Sequence, residues 1–387
     1  MMNKMKIVVA VDSFKGCVSS VELGEVIADA IQDIFPKAKI VKIPVADGGE
    51  GWVDALQPVL GGERITCLVH GPLRNQVRAS YAWIEDTKTA VIEMAAASGI
   101  SLMQIQEGNV MRSTTFGTGE LIVDALNRGC EKICLGIGGS ATNDAGIGML
   151  QALGFHFRDK EGQEIKDGGA HLKEIADIDD SMANPLLLSC KIEVATDVRN
   201  QLYGKYGAAY MFARQKGATD EQIALLDDGL RHLANEIRKK YGVDLQDCPG
   251  SGAAGGLGGS CHLFLHAPLL SGISMLKRIL HFDETIRDAD LIITGEGKID
   301  AQTEQGKLIE GILESAEKYN VPVVAITGNC AEQSEAMKKN PLLAIFSIHD
   351  APVSLEQAMN AGYACCHVRQ TIHSVMKLIS FGRKTCS

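Results

Sequence analysis

The sequence predicts an α/β fold with two domains. Short β-branched apolar runs alternate with helical patterns, and glycine-rich loops connect them along most of the chain. The 387 residues exceed the size of one typical domain. Glycine accounts for 41 residues whereas aromatic residues make up only 5% of the chain, a balance typical of enzymes with tight strand–helix loops.

The first predicted strand is the run KIVVAV, which begins at Lys6. It leads into the loop DSFKG, which contains Asp12, Ser13 and Lys15. This loop lies at the carboxyl end of the strand, where open α/β sheets bind ligands. We therefore expect a ligand contact here; the alternative is a turn with an exposed lysine.

The second predicted strand covers residues 39–45 and ends in the acidic glycine loop ADGGEG. Asp47 and Glu50 in this loop are candidates for binding Mg²⁺ or a substrate hydroxyl, because Mg²⁺ prefers oxygen ligands. A solvated turn is the other reading.

Residues 64–94 lack the alternation of strand and helix patterns seen before them. Short runs at 64–69, 77–84 and 89–94 are joined by turns, which indicates antiparallel strands and a domain boundary near Gly71. The alternation of strand and helix patterns resumes at Asp290.

The stretch GIGGSATNDAGIGM, residues 136–149, joins a predicted strand at 132–135 to a helical pattern at 145–153. Glycines allow a close backbone approach, and a helix start offers free N–H groups to an anion. The candidate phosphate or carboxylate contacts are Gly138, Gly139, Ser140, Thr142 and Asn143. In the alternative reading, Asn143 or Asp144 only caps the helix.

Several further loops have candidate residues for chemistry. STTFGTGE, residues 113–120, is a second candidate anion cradle at a helix start. Asp197 follows a strand predicted at 191–196 and is a candidate base or a simple turn residue. Lys216 precedes a long helix from Asp220 and is a candidate phosphate contact.

The glycine run at 250–259 formally matches a dinucleotide-binding pattern. The preceding residues, 244–248, are polar rather than a buried strand, so a Rossmann site is discounted. Gly252 and Gly255 can still line a nucleotide phosphate. Near the C-terminal end, the loop GEGKID after a strand at 291–294 adds Glu296, Lys298 and Asp300.

Composition excludes several classes of protein. The net charge of −10 and the few aromatic residues argue against nucleic-acid binding. No run reaches membrane-spanning length, and the start lacks the pattern of a signal peptide. The eleven cysteines form no CxxC pair, which favours reduced thiols and a cytoplasmic location. The oligomeric state is not determined, and a homodimer remains open.

Taken in order, these motifs resemble bacterial glycerate kinases of the GarK/GlxK type, the glycerate 2-kinase family. The resemblance covers essentially the whole chain and rests on DSFKG, ADGGEG, EMAAASG, TTFGTGEL, GIGGSATNDAGIGM, QKGA, GSGAAGGLGG and TGEGKID. Val11 and Cys17 depart from the family pattern, in which proline and serine are expected.

The resemblance implies ATP- and Mg²⁺-dependent phosphorylation of D-glycerate, giving 2-phosphoglycerate, with phosphorylation of the 3-hydroxyl as the alternative. It also implies a flavodoxin-like domain from residues 1–71 and 286–387, with a mixed α/β domain, 72–285, inserted into it. A hydroxy-acid dehydrogenase using NAD and a non-catalytic sensor of small acids are the other classes.

Phosphoryl transfer needs positioned phosphates, acids for a metal, and a base near the acceptor hydroxyl. For catalysis we select Asp197, Lys15 and Asp47, and for the metal Asp47, Glu50 and Asp300. The lysines Lys15, Lys216 and Lys298 are candidates to neutralise transferring charge or to hold the glycerate carboxylate.

Overall fold

A computed structural model describes residues 5–46, 48–49, 51–299, 308–330, 335–349 and 351–385. The strands, in chain order, are β1 (Lys6–Val11), β2 (Lys39–Lys42), β3 (Glu63–His70), β4 (Gln76–Ile84), β5 (Thr89–Glu93), β6 (Lys132–Gly136), β7 (His156–Arg158), β8 (Asp177–Asp179), β9 (Lys191–Ala195), β10 (Leu269–Leu270), β11 (Leu291–Ile299), β12 (Val323–Cys330) and β13 (Leu343–Ser347).

The α-helices are α1 (Ser20–Ile34), α2 (Trp52–Leu60), α3 (Ala95–Ser98), α4 (Asn109–Arg112), α5 (Phe116–Asn127), α6 (Ile147–Ala152), α7 (Ala208–Phe212), α8 (Asp220–Tyr241), α9 (Leu257–Phe264), α10 (Gly272–Ile279), α11 (Phe282–Ile286), α12 (Leu308–Tyr319), α13 (Glu335–Lys339), α14 (Leu355–Ala358) and α15 (Ala361–Thr385).

The chain divides into two compact units. The first contains Met1–Asp47, Asp54–Val59 and Ile273–Ser387, and the second contains Gly48–Val53 and Leu60–Gly272. The strands and helices of both units confirm the predicted α/β fold.

The unit limits differ from the boundaries predicted after residues 71 and 285. Strand β3 pairs with β4 along its whole length, from Glu63 opposite Trp83 to His70 opposite Gln76, so 63–70 lie in the second unit. Lys277 Nζ of α10 donates to the Gly311 carbonyl of α12 at 2.8 Å, and α10 lies in the first unit from Ile273 onward.

The first unit is built on a parallel sheet with the order β13-β12-β11-β1-β2. Counted along the chain, this is the order 2-1-3-4-5 of flavodoxin-like sheets, whose topological switch point lies between β1 and β11. Leu23, Ile27 and Ile31 of α1 are fully buried against the sheet, as their helical spacing predicts. A capping box of Ser19 and Glu22 begins this helix.

The second unit has a mixed sheet with the order β10-β9-β6-β5-β4-β3. Strands β3, β4 and β5 are antiparallel, as predicted, while β5, β6, β9 and β10 run parallel. Helix α8 begins with the capping box of Thr219 and Gln222. Its buried Leu226 and Leu230 belong to the same core as Leu135 and Met149.

Three local features differ from the sequence analysis. Strand β2 ends at Lys42 rather than at residue 45. Strand β11 continues to Ile299 because Lys298 still pairs with Asn329 of β12, so Glu296 and Lys298 lie in a strand rather than a loop. The small antiparallel pair β7–β8 was not predicted.

Candidate functional site

The carboxyl edge of the parallel strands in the second unit gathers several predicted residues. Glu93 of β5 lies opposite Gly136 of β6, and Gly136 lies opposite Ala195 of β9. The strands therefore end in register, and the loops that follow β6 and β9 leave from one edge. This edge is where α/β sheets commonly bind ligands.

Lys216 is the charged group at the centre of this region. It is only 2% exposed, yet its Nζ donates to Ser140 Oγ at 2.8 Å and to the Thr142 carbonyl at 2.7 Å. Burial lowers the pKa of Lys216 to about 7, although the nearby Asp144 charge acts in the opposite direction. In the part of the chain that is described, no carboxylate forms an ion pair with it.

Thr142 and Asn143 are fully buried beside this lysine. Within the described ranges, Thr142 Oγ1 and both polar atoms of the Asn143 amide have no hydrogen-bond partner. Buried polar atoms are normally paired, and an unpaired one requires an explanation such as a ligand or an ordered water. Ser140 is partly exposed and Gly139 exposed, so this end of the loop reaches solvent.

The carboxylate of Asp144, the next residue, has hydrogen-bond partners for both of its oxygen atoms. Its carboxylate accepts hydrogen bonds from the Thr115 N–H and hydroxyl, both at 2.8 Å, and from the N–H groups of Gly146 at 3.1 Å and Gly148 at 3.3 Å. Burial raises the pKa of Asp144. The chain's own carboxylate thus occupies the start of α6, the position where the sequence suggested a bound anion.

The second predicted anion cradle, at 113–120, is also occupied internally. Ser113 Oγ donates to the Ala141 carbonyl at 3.1 Å, and Thr118 Oγ1 lies 2.8 Å from Ser98 Oγ. The Thr115 hydroxyl donates to the Asp144 carboxylate and accepts a hydrogen bond from the Met149 N–H at 2.9 Å. These hydroxyls support the loop after β6, and the expectation of a ligand cradle here stays a prediction.

Two glycines of the predicted site allow tight backbone packing. The Gly138 N–H donates to the Gly48 carbonyl at 3.0 Å, and a Cβ at 138 would lie 2.5 Å from Gly49 Cα. Gly255 has φ +69°, and a Cβ there would lie 2.1 Å from the Thr142 carbonyl oxygen. Each position therefore requires glycine for the fold alone.

Gly252 lies in the same glycine run but contacts a different segment. Its N–H donates to the Asn200 carbonyl at 3.0 Å. The polar stretch before the run forms a short 3₁₀ turn, Leu245–Asp247, and not a strand, which agrees with discounting a Rossmann site.

Asp197 follows β9 at this carboxyl edge and is partly exposed. The Gly272 N–H donates to Asp197 Oδ1 at 3.1 Å, which orients the carboxylate. The position fits the predicted role of a base, and that role stays a prediction.

The first unit has its own group of predicted residues, at the switch point of its sheet. The Asp12 N–H donates to the Gly295 carbonyl at 2.9 Å, and the Ser13 N–H donates to Asp12 Oδ1 at 2.6 Å. A Cβ on Gly297 would lie 3.6 Å from Phe14 Cα, so the loop after β1 contacts the end of β11. The structure thus places Asp12 and Ser13 beside β11, the strand that contains Glu296 and Lys298, and Lys15 lies in the same loop as Asp12.

The predicted metal ligands Asp47, Glu50 and Asp300 lie outside the described residues. Among the residues that are described, no group of three His, Cys, Asp or Glu side chains could hold a metal ion. The described helices include none long and apolar enough to cross a membrane.

The sequence analysis missed two residues that shape the site. Thr115 links the loop after β6 to the start of α5, and Ser113 holds the carbonyl of Ala141. Both occur in a motif that had been noted, but nothing in the sequence showed that their partners lie within the chain. Ser251, whose buried hydroxyl has no partner in the described chain, was also missed.

Fold and site together define a two-unit α/β protein with a buried cation and unpaired polar groups at a sheet edge, suited to a small anionic ligand. Comparison with known proteins gives the family. Residues 7–380 match the model of the glycerate kinase family. The chain belongs to this family.

Individual relatives match over nearly their whole length. A Bacillus subtilis glycerate kinase is 43% identical over 98% of this chain and 99% of its own. An Escherichia coli glycerate 2-kinase is 44% identical over 93% of this chain and 94% of its own. A crystal structure from Salmonella typhimurium LT2, assigned as glycerate kinase 2, superposes with a TM-score of 0.85 at 42% identity and covers 99% of this chain and 100% of the other.

Proposed function

We propose that the protein transfers the γ-phosphoryl group of ATP to D-glycerate, at the 2-hydroxyl. The observation that carries this proposal is the 44% identity to an Escherichia coli glycerate 2-kinase along 93% of the chain. The cytoplasmic location and the homodimer stay expectations from the sequence.

The residues of the second unit supply part of the required chemistry. Phosphoryl transfer depends on positioning and on stabilising the charge that develops on the transferring group. A base must also reach the acceptor hydroxyl, and Asp197 is our candidate because its carboxylate is oriented by Gly272 and is partly exposed.

In the first unit, Lys15 and Lys298 are exposed cations near the switch point, and we propose that they contact anionic groups of the reactants. Asp12, Ser13 and Glu296 are proposed to bind there as well. Gly138, Gly139, Gly252 and Gly255 stay in the proposal as backbone close to the ligands, with a packing role already evident for three of them.

Mg²⁺ is proposed to arrive with ATP. This ion is commonly held by substrate phosphates, waters and one or two carboxylates rather than by an all-protein cage. The lack of a three-residue cluster in the described ranges is compatible with that mode. Asp47, Glu50 and Asp300 are the proposed carboxylate contacts, and Mg²⁺ would supply neutralisation of the phosphate charge.

The test is an ADP-release assay with Mg–ATP and a panel of small hydroxy acids, followed by ³¹P and proton NMR of the product. We expect turnover with D-glycerate and a phosphate on carbon 2. Turnover with another acid and none with glycerate would contradict the substrate, and 3-phosphoglycerate would contradict the position.

A further inference from the structure

The buried end of the loop after β6 has both hydrogen-bond donors and acceptors that are unpaired within the described residues. Within the described ranges, the Asn143 amide is unpaired at both its donor and its acceptor atom, and Thr142 Oγ1 is unpaired as well. Lys216 Nζ has three N–H donors, of which two are used by Ser140 and by the Thr142 carbonyl. A ligand that satisfies this set must accept from a cation and also donate to an amide oxygen.

This requirement discriminates between glycerate and the phosphate groups of ATP. At neutral pH the phosphate chain of ATP offers almost only acceptors, which would leave the Asn143 acceptor unpaired. A hydroxy acid offers a carboxylate to the lysine and a hydroxyl proton to the amide. The argument holds for either assignment of the amide O and N, because neither atom has a partner among the described residues.

We propose that Lys216, Thr142 and Asn143 form the subsite for glycerate and not for the phosphates of ATP. Lys216 and Thr142 bind the carboxylate, and the Asn143 amide oxygen accepts from the hydroxyl that is not phosphorylated. That hydroxyl is the 3-hydroxyl, because the 2-hydroxyl must release its proton to a base. The inference rests on the proposed function and names the group that selects the hydroxyl.

The test compares ligands that differ by one hydroxyl. D-lactate keeps the carboxylate and 2-hydroxyl of D-glycerate but lacks the 3-hydroxyl. Dissociation constants of both compounds and of ADP are measured by titration calorimetry for the parent and for Asn143→Leu. The matched control is Asn109→Leu, since Asn109 is a buried asparagine of the same unit whose amide is paired with Gln104 and Arg112.

We expect the parent and the Asn109 variant to bind D-glycerate about tenfold or more tightly than D-lactate, as sites built around a ligand hydroxyl do. In Asn143→Leu the preference should fall to about twofold or less, with ADP binding unchanged. Thr142→Val, a second variant, should weaken both acids equally because they share the carboxylate. These two patterns would support the subsite.

Other outcomes overturn it. The subsite is wrong if the parent shows no preference, if Asn143→Leu keeps the preference, or if the variant loses ADP binding instead. If Asn143→Leu does not fold, Thr142→Val decides the question: binding of both acids that equals the parent's would overturn the subsite. ADP release by the parent is measured separately, so that a parent without turnover of D-glycerate counts against the reaction and not against the subsite.

Discussion

The two halves of the loop after β6 differ in whether their buried polar side chains have hydrogen-bond partners. At 144–149 the carboxylate of Asp144 accepts four hydrogen bonds, and its role is to tie together the starts of α5 and α6. In the preceding half, residues 140–143, Thr142 and Asn143 are equally buried. Their side-chain polar atoms have no hydrogen-bond partner in the described chain. The difference separates a half with a structural role from a half that we propose binds a ligand.

This comparison gives a physical criterion for assigning roles. Removing a satisfied buried group should cost stability, because its former partners are left unpaired. Removing an unsatisfied one should cost binding or catalysis and leave stability unchanged or improved. The sequence motif alone, in which Asn143 and Asp144 are adjacent, does not distinguish the two.

The largest effect is expected at Asp197, which follows the neighbouring strand β9 at the same sheet edge. Asp197→Asn keeps the size of the side chain but removes the charge that would take the hydroxyl proton. We expect kcat to fall on the order of 10²–10⁴-fold, with the thermal midpoint and ATP affinity little changed. Steady-state kinetics and a nucleotide titration measure this. Loss of nucleotide or Mg²⁺ binding would instead make Asp197 a metal ligand.

The structural half is tested by Asp144→Asn. The amide would turn an N–H₂ group toward backbone N–H donors, so part of the four-bond arrangement is lost. We expect the free energy of unfolding to fall by about 3 kcal/mol. Urea denaturation of this variant beside Asn143→Leu gives the contrast directly. A loss for Asp144→Asn below about 1 kcal/mol would remove the distinction between the halves.

Lys216 offers a test by pH. Its pKa is about 7 in the folded protein and the ordinary value for lysine when unfolded, so the unfolded chain binds the extra proton between these values. The destabilisation caused by burying the charge is therefore fully present below pH 7 and is relieved as the pH rises. Relative to Lys216→Met, the parent should gain at most about 1.4 kcal/mol per pH unit above pH 7.

Unfolding measured at pH 6, 7.5 and 9 for both proteins checks this. Asp144 is the charge that acts on Lys216, and it is present in both. A difference between parent and variant that stays constant with pH would show that Lys216 keeps an ordinary pKa.

The smallest effect is expected at Lys15, an exposed lysine in contrast to the buried Lys216. Lys15→Ala should lower kcat/KM by more than about threefold, roughly 0.7 kcal/mol, while the thermal midpoint stays close to that of the parent. A smaller change would mean that Lys15 is a surface lysine without a role in the reaction.

Periodicity predicted much of the fold, because the apolar runs and capping boxes are local signals. The strand β1, the helix α1 and the antiparallel β3–β4 pair are examples. The end of β11 was missed because its extension depends on pairing with β12, which the residues GEGKID do not reveal.

The site was only partly accessible from the sequence. Glycine content identified the loop after β6, and the position of Lys216 before a helix suggested an anion contact. The pairing of Asp144 with Thr115, 29 residues earlier, and of Lys216 with Ser140, 76 residues earlier, depends on tertiary structure. Those contacts decide which polar groups remain for a ligand.

The most direct test of this account is a crystal structure of the protein with D-glycerate and no nucleotide. We predict the ligand carboxylate within hydrogen-bond distance of Lys216 Nζ and a ligand hydroxyl within that distance of the Asn143 amide oxygen. Glycerate bound elsewhere, with the Asn143 amide paired only to an internal water, would contradict the assignment of this loop to the substrate.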